Sequence, residues 1–431
     1  MIKIRAAILA GGKGKRMGDL YPDIPKPMIP LLGKPILQYQ VELLLQQGLK
    51  DITLITGYKS NVISEFFGDG SAFGARIDYI VEDSPLGTGG ALSLLPKEDT
   101  LIIYGDSYLD IDFERFIRFH KKKQAFVTLF AHPNSHPHDS DIVVIDDEGL
   151  VLGWESKKNR AQGDLRNLVN AGLYVFSREA LPWGETVRRD LELDLILPLL
   201  GKKTYAYCST EYIKDAGTPE RLVSVAADIK SGMTASRSLK NKQRAIFIDR
   251  DGTLSKENGY VKAPDQIRLL PGVSEALRMI NGSTFLAICI TNQPVIARGD
   301  VSFDGLNAIH ARLDTLLGHE GAYLDDLFFC PHHPNKGFAG EVPELKLACE
   351  CRKPEPGMLL AASKKHNIDL SRSFMIGDAT ADIGAGKAAG CKTIGVRTGL
   401  GLTDAKYDVL PDMVCDDVLE AVKKILLEAS N

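Results

Sequence analysis

Residues 246–254 read Ile-Phe-Ile-Asp-Arg-Asp-Gly-Thr-Leu, a short apolar run followed by two aspartates that one arginine separates. The apolar residues predict a buried strand, and Gly252 permits a tight turn directly after it. In open α/β sheets, ligands bind beyond the carboxyl ends of the strands, which is where Asp249 and Asp251 stand. Paired carboxylates there can hold Mg²⁺, and one can attack a phosphoryl group while the other exchanges protons. The alternative is an ordinary strand with an Asp-Gly turn.

Helical and strand patterns alternate after this run, which predicts a doubly wound α/β domain over residues 244–431. Polar residues follow three further apolar or Pro-flanked segments, at Thr291, Lys353 and Asp378. In this order the segments resemble the four motifs of the haloacid dehalogenase superfamily of phosphohydrolases. The resemblance implies that Asp249 is a nucleophile forming an aspartyl phosphate and that Asp251 is the general acid and base.

The same resemblance implies roles for the remaining motif residues. Thr291 and Lys353 would hold the phosphoryl group, and a Mg²⁺ site would consist of Asp249, Asp251 and Asp378.

Two short Cys/His pairs stand close to the predicted phosphoryl-binding lysine. Cys330-x-His332 and Cys349-x-Cys351 offer four soft or borderline ligands, which suit a closed, tetrahedral, structural Zn²⁺ site. The alternative is a set of buried free cysteines. Because Lys353 lies two residues after Cys351, a zinc loop would fix the direction of this lysine.

A narrower resemblance links this domain to bacterial D-glycero-D-manno-heptose 1,7-bisphosphate phosphatases. It is carried by Thr291-Asn292-Gln293, by residues 296–299 (Ile-Ala-Arg-Gly) and by the Cys/His pairs. It implies that Asn292, Arg298 and Arg352 contact the substrate. Histidinol phosphate phosphatases share much of the zinc pattern, and Pro294-Val295 replaces the Ser-Gly of the heptose family. The sugar and its anomer therefore stay open.

The start of the chain has a second glycine-containing pattern. A predicted strand over residues 4–10 leads into Gly-Gly-Lys-Gly-Lys-Arg-Met at 11–17, and Pro-Lys-Pro-Met follows at 25–28. Glycines allow backbone N–H groups to approach phosphates, and the basic side chains add positive charge. Residues 9–28 resemble the signature of the sugar-1-phosphate nucleotidyltransferases, and four later segments match that family in order.

The nucleotidyltransferase resemblance implies a complete site in a second doubly wound, Rossmann-like α/β domain over residues 1–230. Catalytic contacts to the phosphates would come from Arg16 and Lys26, and a second Mg²⁺ site from Asp106 and Asp215. The nucleoside triphosphate would be bound by Leu9, Ala10, Gly11, Gly12, Gly14, Glu82, Gly87 and Thr88. The sugar phosphate would be bound by Asn170, Gly172 and Lys157.

Two assignments in this domain stay open. The family has Glu-Lys where this chain has Glu155-Ser156-Lys157-Lys158, so either lysine could meet the sugar phosphate. Glu192 and Asp194 resemble the acidic pair of the family, but charge on a helix surface explains them equally well.

Length and composition agree with a two-domain enzyme. The chain has 431 residues, and its segment 231–243, rich in Ser, Lys and Arg, predicts a linker between the domains. A net charge of −4 predicts no nucleic-acid or membrane partner. Apolar runs far shorter than the roughly 18 residues of a membrane span, and cysteines suited to zinc rather than disulfides, predict a cytoplasmic protein.

Together, the two halves predict a bifunctional enzyme of GDP-heptose biosynthesis. The phosphatase would remove the 7-phosphate of heptose 1,7-bisphosphate, and the transferase would then join heptose 1-phosphate to a nucleotide, with GTP favoured by family analogy. One alternative is a hexose 1-phosphate nucleotidyltransferase, for example for mannose, fused to a histidinol-phosphate-like phosphatase. Another is that one half is a non-catalytic regulatory module. Oligomeric state is not predicted.

Overall fold

The computed structural model describes residues 4–12, 21–158 and 163–430 of the chain. The described residues form two compact units. The first unit takes its residues from 1–132, 143–155 and 170–238, and the second from 133–142, 156–169 and 239–431.

The first half of the chain folds into strands and helices around a mixed sheet. Its strands are β1 (Arg5–Leu9), β2 (Pro30–Leu31), β3 (Lys34–Pro35), β4 (Asp51–Thr56), β5 (Arg76–Val81), β6 (Thr100–Tyr104), β7 (Ser107–Asp110), β8 (Val127–His132), β9 (Ile142–Ile145), β10 (Val151–Glu155), β11 (Val169–Phe176), β12 (Thr204–Cys208) and β13 (Tyr212–Asp215). Its helices are α1 (Ile36–Gln46), α2 (Ser60–Phe67), α3 (Phe113–Lys123), α4 (Pro219–Lys230) and α5 (Met233–Arg237).

The sheet is ordered β10-β9-β11-β6-β1-β4-β5, with β8 pairing both β11 and β12. Strand β1 is parallel to its neighbours β4 and β6, whereas β11 runs antiparallel to β6. The strand order reverses at β1, because β4 and β5 lie on one side of it and β6 lies on the other, so the carboxyl ends of β1 and β6 form the switch point. The glycine loop follows β1, and Asp106 follows β6.

The second half has a parallel sheet. Its strands are β14 (Arg244–Ile248), β15 (Phe285–Asn292), β16 (Asp326–Cys330), β17 (Phe374–Gly377), β18 (Lys392–Val396) and β19 (Met413–Cys415), in the order β16-β15-β14-β17-β18-β19. Its helices are α6 (Val273–Asn281), α7 (Phe303–His319), α8 (Gly357–His366), α9 (Thr380–Ala389) and α10 (Val418–Ser430). The order reverses between β14 and β17, which makes their carboxyl ends the switch point.

Strand β14 is covered on both faces. Ile246 and Ile248 pack with residues of α6, α7 and α10, whereas Ala245 and Phe247 pack with residues of α8 and α9. Side chains alternate between the faces of a strand, so a continuous apolar run is what a doubly covered strand requires. The predicted α/β class is confirmed for both halves.

The segment 231–243, which its composition predicts to be a linker, contains the short helix α5. Met233 and Leu239 in this segment are buried. The division between the two units falls between Ser238 and Leu239.

None of the helices in the described part of the chain is long and apolar enough to cross a lipid bilayer.

Candidate active sites

The second unit carries buried carboxylates at its switch point. Asp249 directly follows β14 and Asp378 directly follows β17, and the backbone N–H of Asp249 donates to the carbonyl of Ile376 at 3.0 Å. Both side chains are buried. Parallel pairing of the two strands therefore brings these predicted site residues together.

A third carboxylate completes the group. Asp382, in the first turn of α9, places an oxygen within 4.8 Å of oxygens of Asp249 and Asp378. Burial raises the pKa of Asp249 well above its ordinary value, and burial followed by the charge of Asp382 raises the pKa of Asp378 to about 7. Three buried oxygens that repel one another are the donor type that Mg²⁺ prefers, so these residues fit this ion.

Lys353 lies against the carboxylates. Its Nζ is 2.5 Å from Oδ1 of Asp249, 2.6 Å from Oδ1 of Asp382 and 2.7 Å from the carbonyl oxygen of Ile290. Burial alone would lower the pKa of Lys353, but the two carboxylates outweigh it and raise this pKa above the ordinary value. Lys353 is therefore a buried cation next to the proposed nucleophile.

Among the described residues, the group of mutually close carboxylate oxygens consists of Asp249, Asp378 and Asp382. The Asp251 carboxylate accepts hydrogen bonds from Arg250 and Gln293, and its part in the Mg²⁺ site stays a prediction. The chain turns directly after Asp251, at Gly252. Gly252 has φ +92°, and a Cβ there would stand 2.1 Å from Oδ2 of Asp378. Only glycine allows this turn so close to Asp378.

The predicted zinc ligands converge. The Sγ and Nδ1 atoms of Cys330, His332, Cys349 and Cys351 all lie within 4.8 Å of one another, and five of their six separations are between 3.2 and 3.6 Å. Three sulfurs and one imidazole nitrogen at these separations fit a closed tetrahedral Zn²⁺ site.

The other predicted contacts of this half have different surroundings. Thr291 is buried at the end of β15, and its Oγ1 accepts a bond from Gln293 at 2.8 Å. The Asn292 side-chain amide forms two hydrogen bonds with the backbone of Lys353. Arg352 donates to the carbonyl of His332 at 3.1 Å.

Arg298 is held by aromatic rings. Its guanidinium carbon lies 4.3 Å from the ring centre of Tyr260 and 4.2 Å from that of Phe338, and its Nε donates to Asp300 at 3.1 Å. Lys346 approaches the same Phe338 ring at 4.4 Å. Stacking between two rings fixes the plane of the guanidinium and leaves part of it exposed.

In the first unit, the glycine loop begins beside Glu82. A Cβ on Gly11 would stand 2.7 Å from Oε2 of Glu82, so these predicted nucleotide-binding residues are neighbours. Leu9 and Ala10 bond to the adjacent strands through their backbones, and Gly12 is exposed. Gly14 and Arg16 lie outside the described residues.

Asp106, Asp215 and Lys26 form the polar centre of this unit. Asp215 ends β13, which pairs antiparallel with β7, and Asp106 directly precedes β7. The ammonium of Lys26 contacts Asp106 and lies 3.9 Å from Oδ1 of Asp215, while Arg221 pairs with the other Asp215 oxygen. Two carboxylates facing one ammonium are hard oxygen donors that fit Mg²⁺.

A buried network lies behind the predicted sugar-binding segment. Glu192 accepts bonds from the hydroxyls of Tyr104 and Tyr174, each at 2.8 Å, and Asn170 donates to the Tyr174 hydroxyl at 2.7 Å. Burial raises the pKa of Glu192. Gly172 has φ +73°, and a Cβ there would stand 2.7 Å from the Tyr104 ring. Glu192 is therefore a partly buried, hydrogen-bonded carboxylate rather than a free charge on a helix surface.

The remaining predicted contacts are more peripheral. Gly87 has φ +78° and packs on the carbonyl of Arg189, and the hydroxyl of Thr88 accepts from the N–H of Leu191 at 2.8 Å. Lys157 is exposed, and its backbone N–H donates to Asp141 at 2.9 Å.

Sequence reasoning gave no role to Arg250, Gln293 or Arg221 and assigned none to Asp382. The sequence signal for Asp382 was its position four residues after Asp378, in the first turn of the helix that follows.

Comparisons with known proteins agree with this division. A nucleotidyl transferase family model matches residues 5–232, and a HAD-hydrolase-like model matches residues 350–421. A mannose-1-phosphate guanylyltransferase of Mycobacterium tuberculosis is 34% identical over 246 residues, covering 55% of this chain and 68% of that protein.

The second half matches other proteins. A D-glycero-beta-D-manno-heptose-1,7-bisphosphate 7-phosphatase of Yersinia pestis is 40% identical over 182 residues, covering 42% of this chain and 94% of that protein. A solved D,D-heptose 1,7-bisphosphate phosphatase from B. bronchiseptica, in complex with magnesium and phosphate, is 32% identical with a TM-score of 0.39. The match covers 43% of this chain and 99% of the solved chain.

Proposed function

The chain belongs to the nucleotidyl transferase family in its first half and to the heptose 1,7-bisphosphate phosphatases in its second, and on this premise we propose that it is a bifunctional enzyme of GDP-heptose biosynthesis. The second unit removes the 7-phosphate of D-glycero-D-manno-heptose 1,7-bisphosphate. The first unit transfers GMP from GTP to the resulting heptose 1-phosphate and releases pyrophosphate. The observation that carries the proposal is that the described part of one chain holds two polar sites, each at the switch point of its own sheet.

In the phosphatase, an Asp249 oxygen attacks phosphorus and the sugar oxygen leaves with a proton from Asp251. Water then attacks the aspartyl phosphate, its proton passes to Asp251, and phosphate leaves Asp249. Lys353 and Thr291 hold the phosphoryl oxygens. Asp249, Asp378 and Asp382 would hold Mg²⁺, which supplies positive charge for the phosphoryl group.

A bisphosphate substrate brings a second anionic group, and the basic residues around Phe338 suit it. Arg298 and Lys346 both approach the Phe338 ring, and the His333 ring lies 5.9 Å from it. Burial first, and then the charges of Arg352, Lys346 and Arg298, lower the pKa of His333. These positive charges support recognition of the 1-phosphate while the 7-phosphate meets Asp249.

In the transferase, an oxygen of the sugar 1-phosphate attacks the α-phosphorus of GTP and pyrophosphate leaves. Such a reaction needs positioning and charge neutralisation rather than a covalent nucleophile. Lys26 and Arg16 contact the phosphates, Gly11 and Glu82 face the nucleotide, and Asp106 and Asp215 would hold Mg²⁺. The guanylyltransferase name of the Mycobacterium tuberculosis relative supports GTP.

Heptose as the transferred sugar rests on the coupling of the two halves, because the phosphatase product is the sugar phosphate that the transferase needs. Mannose 1-phosphate is the second candidate, since the same relative is named for it. We place the enzyme in the cytoplasm, because free cysteines and a zinc group suit a reduced compartment that contains GTP. The zinc loop has a structural role, holding the segment that carries Lys353.

The experiment is a single reaction followed by ³¹P NMR. Purified protein is given heptose 1,7-bisphosphate, GTP, Mg²⁺ and Zn²⁺, and inorganic phosphate is expected before pyrophosphate and GDP-heptose. The pathway would be contradicted if the 1-phosphate were removed first. It would also be contradicted if the transferase strongly preferred mannose 1-phosphate over heptose 1-phosphate.

A further inference from the structure

Arg250 is a fully buried arginine between the two aspartates that begin the phosphatase site. Its guanidinium forms a two-pronged contact with its neighbour: Nε lies 3.0 Å from Oδ1 of Asp251, and Nη2 lies 2.7 Å from Oδ2. A buried guanidinium is stable only when it is paired, and the planar fork fixes the plane of the carboxylate that it binds. The orientation of Asp251 is therefore set by Arg250.

A second contact fixes Asp251 from another direction. Gln293 Nε2 donates to Oδ2 of Asp251 at 2.9 Å and also lies 2.8 Å from Oγ1 of Thr291. The hydroxyl of Ser255 is 3.3 Å from Oδ1 of Asp251. Gln293 thus ties the Asp251 carboxylate to a group proposed to hold the phosphoryl oxygens.

We propose that Arg250 is a positioning residue that, together with Gln293, holds the Asp251 carboxyl in the orientation needed for proton transfer to the leaving sugar oxygen and keeps it out of the Asp249–Asp378–Asp382 group. The proposal rests on the phosphatase half of the proposed function. Arg250 does not touch substrate, and its effect on catalysis passes through Asp251.

The chemistry of the first step gives the proposal a specific signature. As the Asp249–phosphorus bond forms, the bond from phosphorus to the leaving oxygen breaks and that oxygen takes the proton of Asp251. A sugar alcohol is a poor leaving group and needs this proton, whereas p-nitrophenolate leaves without it. If the Asp251 carboxyl is wrongly oriented, hydrolysis of alkyl phosphates therefore slows much more than hydrolysis of p-nitrophenyl phosphate.

The test compares kcat/KM, which reports steps up to the first phosphoryl transfer, for heptose 1,7-bisphosphate and p-nitrophenyl phosphate. Arg250→Gln is expected to lose at least about tenfold more kcat/KM on the bisphosphate than on the aryl ester, and the same selective loss is expected of Asp251→Asn. The double variant should lose little beyond Asp251→Asn, because both changes act on one group. Arg250→Lys, which cannot form the fork, should resemble Arg250→Gln.

Arg244→Gln is the matched control, because Arg244 lies at the opposite end of β14 and should leave the ratio between the two substrates unchanged. If Arg250→Gln does not fold, Gln293→Leu replaces it in the test. This variant is also expected to lose more kcat/KM on the bisphosphate than on p-nitrophenyl phosphate. Equal losses on both substrates, or additive losses in the double variant, would overturn the role of Arg250. Failure of the phosphatase assignment looks different: wild type would release no phosphate, or Asp249→Asn would keep its activity.

Discussion

The side chain of Asn292 pairs with the backbone of Lys353 through two hydrogen bonds. Oδ1 accepts from the Lys353 N–H at 3.0 Å, and Nδ2 donates to the Lys353 carbonyl oxygen at 3.1 Å. Asn292 ends β15, a strand buried in the sheet, whereas Lys353 lies on the loop of the zinc group. The pairing therefore connects a rigid strand to the lysine whose Nζ meets Asp249.

We expect Asn292→Ala to lower kcat for phosphate release by roughly tenfold or more, because two bonds worth about 1 kcal/mol each no longer hold the Lys353 backbone. Steady-state phosphate release measures this, with pyrophosphate formation unchanged. Asn281→Ala is the control, since Asn281 makes the same two-bond contact with the backbone of Tyr323, at 3.0 and 3.1 Å. If the two variants lower kcat equally, Asn292 contributes to the stability of the domain and does not position Lys353.

The contrast between Asn292 and Asp249 shows what the sequence could reveal. The position of Asp249 follows from the local sequence, because an apolar strand and an Asp-Gly turn put its carboxylate at the carboxyl end of a strand. Asn292 is the last residue of a strand, and its contact with substrate stays a prediction. Its amide also bonds a residue 61 positions along the chain, a contact that is set by tertiary packing and that the sequence did not reveal.

The same limit explains Asp251 and Glu192. The role of Asp251 at the metal stays a prediction, but its ion pair with Arg250 was not visible in the sequence. The sequence left Glu192 open between the site and a helix surface, because its hydrogen bonds come from two tyrosines on other strands. Strand ends and motif order were predictable, whereas side-chain partners across the sheet were not.

We expect Asp249→Asn to abolish phosphate release and to leave pyrophosphate formation from heptose 1-phosphate and GTP intact. The physical reason is that the amide is not a nucleophile, while the transferase groups belong to the other unit. Asp106→Asn is the reciprocal variant and should lose only pyrophosphate formation. Loss of both activities in either folded variant would contradict two independent sites.

We expect one tightly bound Zn²⁺ per chain after a wash with chelator, measured by metal analysis. Cys349→Ser should lose zinc and lower phosphate release, because the loop leading to Lys353 is no longer clamped. Cys208→Ser, in a strand of the first unit, is the control and should retain the metal. Wild-type protein that contains no zinc after the wash would refute the assignment.

His120 predicts a pH-dependent stability of the first unit. It is buried with Nδ1 2.8 Å from the Thr128 hydroxyl, and burial lowers its pKa from 6.5 to about 4. Its proton therefore binds the unfolded chain more strongly, so stability falls as pH drops from about 6.5 towards 4, by about 3 kcal/mol in total.

Urea unfolding at pH 7 and pH 4 measures this loss, and both tryptophans, Trp154 and Trp183, report on the first unit. His120→Asn should be less stable at pH 7 but should lose about 3 kcal/mol less on acidification. His319→Asn, an exposed histidine of the second unit, is the control. An unchanged pH dependence in His120→Asn would contradict the prediction.

The last prediction concerns how the phosphatase recognises the end of the sugar that it does not cut. Arg298 is stacked between Tyr260 and Phe338, so its charge is held in place rather than free to follow any anion. The buried ammonium of Lys346 adds positive charge beside it, and its Nζ lies 3.5 Å from a carboxylate oxygen of Glu341. Heptose 1,7-bisphosphate presents a 1-phosphate to such a site, whereas heptose 7-phosphate does not.

Arg298→Met should therefore raise KM for heptose 1,7-bisphosphate by roughly tenfold or more, since a charge-assisted contact worth about 1.5–3 kcal/mol is removed. KM for heptose 7-phosphate should barely change, because the reacting phosphate still meets Asp249 and Lys353. Arg278→Met, an exposed arginine on α6, should alter neither constant. If KM rises equally for the two substrates, Arg298 stabilises the loop and does not bind the 1-phosphate. Selection of the 7-phosphate must then come from other residues.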